Sequence, residues 1–327
     1  MDQKRDIALD CTKGIAILAV VLFHVTRGYS SAGLLTETVP LRFADTLAYG
    51  FHVQSFFLIA GYLSFPRADG WRFQLRRQVS LYHAYLLWSV VSWLLSAAFA
   101  GQVNSAMDWQ ALMRIPVEPI QHFWFLLALM AGTALIGLLR TPALLLGATA
   151  LCLGLHGTGF GGYFLSYFPF IFIGAWLRQS GQHPPANLIA GALCLLAIGL
   201  GAWTATINGR QLGYASAFPL MLAGCYAAYV GGSLAARSAS AGALLAMLGR
   251  HSLPIYLLHV IAGAGTRILL GHAAPGLPVP IAVTISLAAA IGLPLLADLV
   301  ARRLGLAGLA GFAPLPLFRA PPRPALA

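Results

Sequence analysis

Three ionisable side chains, Asp10, Lys13 and His24, bracket a run built from Ile, Ala, Leu, Val and Phe over residues 15–23. An imidazole in such a setting can take a proton near neutral pH or act as a nucleophile. At about 100° per residue, Lys13 to His24 turns through roughly three circles and Asp10 to His24 stops about 40° short of four. One helix face therefore carries all three groups as a polar stripe about 20 Å long. Charges inside a bilayer cost several kcal/mol each and face a bundle interior or a wet cavity. The stripe reads as one wall of an active site, with Asp10 one turn from Lys13 and able to pair with it.

Four further stretches carry polar groups into apolar surroundings. His52, Gln54 and Ser55 open a run that ends in Gly61 and Tyr62, a pattern that helix packing around the glycine also explains. Arg72, Arg76 and Arg77 precede another run, where arginines report membrane topology or clamp phosphates. His122 sits beside Trp124 and Phe125, and the aromatic pair suits a membrane interface while the histidine is not needed for anchoring. Last comes Gly249-Arg250-His251-Ser252-Leu253-Pro254-Ile255-Tyr256, with His259 one turn beyond Tyr256 on the same face. The glycine pattern from Gly157 to Gly162 lacks a strand-turn-helix setting and is not read as a dinucleotide site. Asp298, Arg267 and His156 stand alone near the ends of apolar runs, where snorkelling accounts for them. Cys11, Cys152, Cys194 and Cys225 have no metal-ligand spacing, and no metal is expected.

The elements that position these groups follow from composition. The chain has 327 residues, of which 59% are hydrophobic and 9% charged, with a mean hydropathy of +0.78. Soluble domains carry about 25% charged residues, so this is an integral membrane protein of the all-α class. The net charge of +11 is spread singly between apolar runs, which speaks against a nucleic-acid partner. Cutting at Pro, Gly and charge gives ten spans, at 8–28, 46–65, 79–99, 120–139, 142–156, 163–178, 186–206, 212–235, 253–271 and 279–300. Most Lys and Arg then fall in one alternating set of loops, and only Arg27, Arg42, Arg114 and Arg210 in the other, which places both termini in the cytoplasm. The first span is expected to be retained rather than cleaved, because Asp10 and Lys13 interrupt its apolar run. One bundle domain is expected over residues 1–312, followed by a proline-rich tail, 313–327, on the cytoplasmic side.

Taken together the five stretches resemble the acyltransferase-3 family of integral membrane acyltransferases, which includes bacterial O-acetyltransferases of surface polysaccharides. Arg5, Asp10, Lys13-Gly14 and His24 look like its first-helix signature, and Phe56-Phe57 through Gly61-Tyr62 like its second-helix pattern. Arg72, Arg76 and Arg77 resemble its basic loop, His122-Phe123-Trp124-Phe125 its mid-chain segment, and Gly249 through His259 its late motif. Lysine at position 13, where many members carry arginine, is similar to the fucose 4-O-acetylase-like branch, and Ala60 replaces a common serine.

The resemblance implies a reaction in the bacterial cytoplasmic (inner) membrane. An acyl-CoA, expected to be acetyl-CoA, would give its acyl group to a hydroxyl of an envelope or exopolysaccharide sugar or its lipid-linked precursor. His24, Asp10 and Lys13 are then the catalytic candidates, with Lys13, Arg72, Arg76 and Arg77 holding the donor's phosphates. His52, Ser55, His122, Trp124, Tyr256 and His259 are candidates for substrate binding, and Ser55, His122 and Tyr256 for oxyanion stabilisation. His24 would deprotonate the acceptor hydroxyl or carry the acyl group itself. Membrane lipid and the glycan assembly machinery are the implied partners. A transporter or flippase using the same stripe as its path is the competing reading, and a scaffold without chemistry the third.

Overall fold

The computed structural model describes residues 6–64, 70–104, 107–156, 162–210, 212 and 217–315, without the side chains of 70–72 and 163. Among these residues every regular element is helical. In chain order they are α1 (Ile7–Ser31), α2 (Val39–Tyr49), α3 (His52–Ser64), α4 (Gly70–Ala98) and α5 (Trp109–Arg114). A single 3-10 turn, Gln121–Phe123, leads into α6 (Trp124–Ile136). Then follow α7 (Pro142–Leu155), α8 (Gly162–Gln179), α9 (Leu188–Ile207), α10 (Phe218–Ala235), α11 (Ala239–Arg250), α12 (Ser252–Ala273) and α13 (Val279–Arg303).

Six of these helices are long and apolar enough to cross a membrane: α1, the Phe73–Ala98 part of α4, α9, α10, α12 and α13. They correspond to six of the ten spans expected from sequence; of the other four, three are divided or short and the fourth, α8, carries a proline inside it. The run at 46–65 breaks at Gly50 and Phe51 into α2 and α3. Hydropathy is continuous there, but Gly224 of α10 packs against the Gly50 carbonyl, so the chain bends where the partner helix presses on it. The run at 120–139 starts as a 3-10 turn, and α6 keeps only 13 residues, about 20 Å of helix. α7 has 14 residues, and α8 carries Pro169 in its interior. Two short helices, α5 and α11, lie in segments read from sequence as loops.

Asp6 caps α1, its carboxylate accepting from the amides of Ala8 and Leu9, which fixes where the stripe-bearing helix starts. α1 then packs on α11 so closely that glycine is required at the crossing. A Cβ on Gly14 would run into the carbonyl of Leu245, and one on Gly249 into the carbonyl of Asp10. Around α1, one buried core joins residues of α4, α6, α12 and α13, including Ile17, Tyr85, Leu126, Ile255 and Ala290. A second, aromatic core forms between α3, α6, α7, α8 and α10 around Phe57, Tyr167 and Phe170. Beyond α13 the chain returns to α4: His83 and Trp88 donate to the carbonyls of Leu309 and Ala310, and Phe312 stacks on Trp88 at 5.7 Å. Of the proline-rich tail, residues 316–327 lie outside the described residues.

Candidate active site

The candidate side chains converge because three helix segments that are far apart in sequence meet beside the second half of α1. His24 of α1 shares a 2.7 Å hydrogen bond between its Nδ1 and Nε2 of His259 on α12, and the two rings stack at 4.9 Å. His122, in the 3-10 turn before α6, lies 5.9 Å from His24 and 5.0 Å from His259, ring centre to ring centre. Tyr256, one turn before His259, ties that turn to α12 from both directions. Its hydroxyl donates to the His122 carbonyl, and its own carbonyl accepts from His122 Nε2 at 3.1 Å. The residue before His122, Gln121, has a φ of 48°, in the left-handed region that non-glycine residues rarely adopt. Such strain persists where the surroundings over-determine the backbone, and the His122–Tyr256 clasp does so here.

Two cavities meet at this cluster. One, of about 420 Å³, is bounded by Lys13, His52, Phe56, Trp124, Ser252 and Tyr256, and reaches His24 and His122 from the N-terminal end of α1. The other, of about 360 Å³, reaches the same two histidines from the opposite direction, past Gly28, Tyr29, Ser92, Ser96, Asn104 and Arg267. His24, Gln121 and His122 line both. Apolar side chains form most of each wall, with the polar groups placed singly among them.

Asp10 and Lys13 form the expected pair, Nζ to Oδ1 at 2.7 Å, with the carboxylate buried and the amine facing the first cavity. Trp124 packs against Tyr167 with ring centres 4.8 Å apart and lines that cavity. His52 donates from Nδ1 to the Ala48 carbonyl at 2.5 Å and meets the Tyr49 ring edge-on, so it forms wall rather than centre. Ser55 is buried and lines neither cavity, because the turn of α3 that directs His52 and Phe56 inward sends Ser55 toward α10. This removes it from the oxyanion candidates. Arg76 and Arg77 do not line the two cavities either; Arg77 donates to Ser64 Oγ at the C-terminal end of α3. The Arg72 side chain lies outside the described residues.

Three placements depart from the sequence reading. Asp298, read as a snorkelling residue, is fully buried and accepts from His251 Nδ1 at 2.6 Å and from Arg302 Nε at 2.8 Å. Its separation of four residues from Arg302 was the available signal. Arg267, read the same way, lines the second cavity and donates to Asn104 Oδ1 at 3.2 Å. It follows His259 by about two turns of α12, and that periodicity places it along the same wall. Gln121 joins both cavities, and nothing in residue type or spacing singles it out. Three imidazoles in contact invite a metal reading, but two of them spend facing nitrogens on each other, and the described residues hold no group of three ligands placed for a metal ion.

Neither the comparison with curated proteins nor that with solved structures gave a match. A family model described as an acyltransferase domain matches residues 6–299, a stretch that contains the histidine cluster, both cavities and all six long apolar helices up to the last turn of α13. The chain therefore belongs to the acyltransferase-3 family of membrane acyltransferases.

Proposed function

We propose that the protein transfers an acyl group, expected to be acetyl, from acyl-CoA to a hydroxyl of an envelope carbohydrate or its lipid-linked precursor. The observation that carries this reading is that His24 lies where the two cavities meet, so that two substrates can reach one imidazole from opposite ends. The donor enters at the Lys13 end. Its pantetheine arm and acyl group suit the apolar walls, and Lys13 supplies a cation near the mouth, with Arg77 at the same end through Ser64. Lys13, Arg77, Arg250 and Arg302 belong to this end, which argues for a cytoplasmic orientation. The acceptor enters at the other end, where Ser92, Asn104, Gln121 and Arg267 can hydrogen-bond sugar hydroxyls between apolar walls.

With both substrates present, the His24 imidazole takes the acceptor's hydroxyl proton as the oxygen attacks the thioester carbonyl. The carbon–sulfur bond then breaks, and the departing thiolate recovers the proton from His24. Access from both sides favours this direct route over a histidine-bound acyl group, since neither substrate has to leave before the other binds.

The test follows release of CoA thiol from acetyl-CoA by the purified protein in nanodiscs, with and without envelope glycan precursors. Acceptor-dependent release that falls at least about a hundredfold in His24→Ala is the expected outcome. Release that persists in the variant would return His24 to a packing role, and no release with any acceptor would sink the acyl-transfer reading.

A further inference from the structure

We infer that His259 is a positioning residue: it fixes which nitrogen of His24 carries the proton and thereby turns the bare Nε2 lone pair toward the junction of the two cavities. This rests on the proposed role of His24 as the base, and it follows from the heavy-atom hydrogen bonds alone. A carbonyl oxygen has no proton to give. His259 Nδ1 faces the carbonyls of Ile255 at 3.1 Å and Tyr256 at 2.8 Å, so it carries a proton and donates it. In a neutral ring the other nitrogen, Nε2, is then an acceptor. That Nε2 stands 2.7 Å from His24 Nδ1, which must therefore hold the His24 proton. His24 Nε2 is left without a proton, on a residue that lines both cavities.

The same turn of α12 settles the third ring. His122 Nε2 faces the Tyr256 carbonyl at 3.1 Å and donates to it, so His122 Nδ1 is a bare acceptor, buried and without a hydrogen-bond partner. The Tyr256 carbonyl thus sets the tautomers of two imidazoles, and through His259 that of the third.

A third group that orients the base is the usual requirement for activating it. In soluble enzymes that group is commonly a carboxylate. Within a membrane bundle a carboxylate would be a buried charge, costing several kcal/mol, whereas a neutral imidazole accepts the same hydrogen bond without net charge. During transfer the acceptor's O–H bond breaks and an N–H bond forms at His24 Nε2, while Nδ1–H stays bonded to His259. The proton on Nε2 then passes to the thiolate as the carbon–sulfur bond breaks, and the starting tautomer returns. Without His259, His24 can place its proton on Nε2 instead, and its lone pair then faces α12 rather than substrate.

Nitrogen NMR of the full chain in nanodiscs, labelled at histidine and assigned by the signals lost in His24→Gln, reads the tautomer without any turnover. The expected wild-type result is a protonated Nδ1 and a bare Nε2 at His24, with a protonated Nε2 gained in His259→Leu. A wild-type His24 protonated at Nε2, or a tautomer unchanged in His259→Leu, overturns the inference. In the CoA-release assay His259→Leu should lose about a hundredfold or more in kcat, with the donor KM within about threefold. His259→Gln, whose side-chain oxygen can accept from His24 Nδ1, should recover most of that loss. Equal losses in the two variants count against positioning. Should acyl transfer fail with every acceptor while the NMR result holds, the tautomer assignment stands and the proposed reaction falls.

Discussion

Two histidines in this protein are held by hydrogen bonds of nearly equal length, yet their partners make them different devices. His24 Nδ1 meets a neutral imidazole at 2.7 Å, and His251 Nδ1 meets the Asp298 carboxylate at 2.6 Å. The carboxylate oxygen that receives His251 also receives Arg302, while Asp298 Oδ1 is buried without a hydrogen-bond partner, and the centre ties the residue just before α12 to the last turns of α13. The His24 centre is left open, with one ring nitrogen facing a space large enough for substrate. Pairing with a carboxylate spends one imidazole on architecture, and pairing with a second imidazole keeps the other available for chemistry.

That contrast is broken most widely by removing each centre in turn. His24→Ala should abolish acceptor-dependent CoA release and leave the thermal unfolding midpoint in detergent within a few degrees of wild type. The other centre should respond in the opposite sense. Arg302→Leu leaves the fully buried Asp298 carboxylate with His251 as its partner, and an unfolding loss of about 3 kcal/mol is expected. Asp298→Leu strands only His251 and Arg302, whose side chains both reach solvent, and about 2 kcal/mol is expected, with turnover per folded molecule near wild type. Turnover lost in proportion to His24→Ala would show that the Asp298 centre also serves the reaction.

Smaller effects sharpen the contrast between the two ends of the site. Replacing the ion pair as a unit, Asp10→Asn with Lys13→Gln, removes the cation without stranding a buried acid. Donor KM should rise by roughly three- to thirtyfold, with acceptor KM unchanged, as measured by initial rates. Arg267→Gln should do the reverse, raising acceptor KM by a few fold and leaving donor KM alone. An increase of both constants in either variant would contradict the assignment of one substrate to each end.

Much of this centre could be read from the chain because it lies along single helices. Helical periodicity alone brings Asp10, Lys13 and His24 to one face, and Tyr256 and His259 to another. The clasp between His122 and Tyr256 could not be read, since it depends on a strained turn held by a helix remote in sequence. Asp298 illustrates a different failure: apolar neighbours and a place near the helix end suggested a side chain reaching for water, whereas α13 sits with that face against His251. In the fold, the break between α2 and α3 escaped hydropathy because it is imposed by α10 pressing on Gly50. The same applies to Ser55, whose polarity marked it as a candidate while its position on α3 directs it away from the cavity.

The ion pair of Asp10 and Lys13 also bears on how the protein is made. Both charges sit on α1, three residues apart, so the bond between them forms as soon as that helix does. A helix emerging from the ribosome with two unpaired charges would have to wait for later segments before entering lipid, at a cost of about 2.5–3.5 kcal/mol per charge. α1 carries its own counter-ion and can leave the translocation channel long before α11 and α12 exist. When α11 arrives, it settles its glycine against the Asp10 backbone.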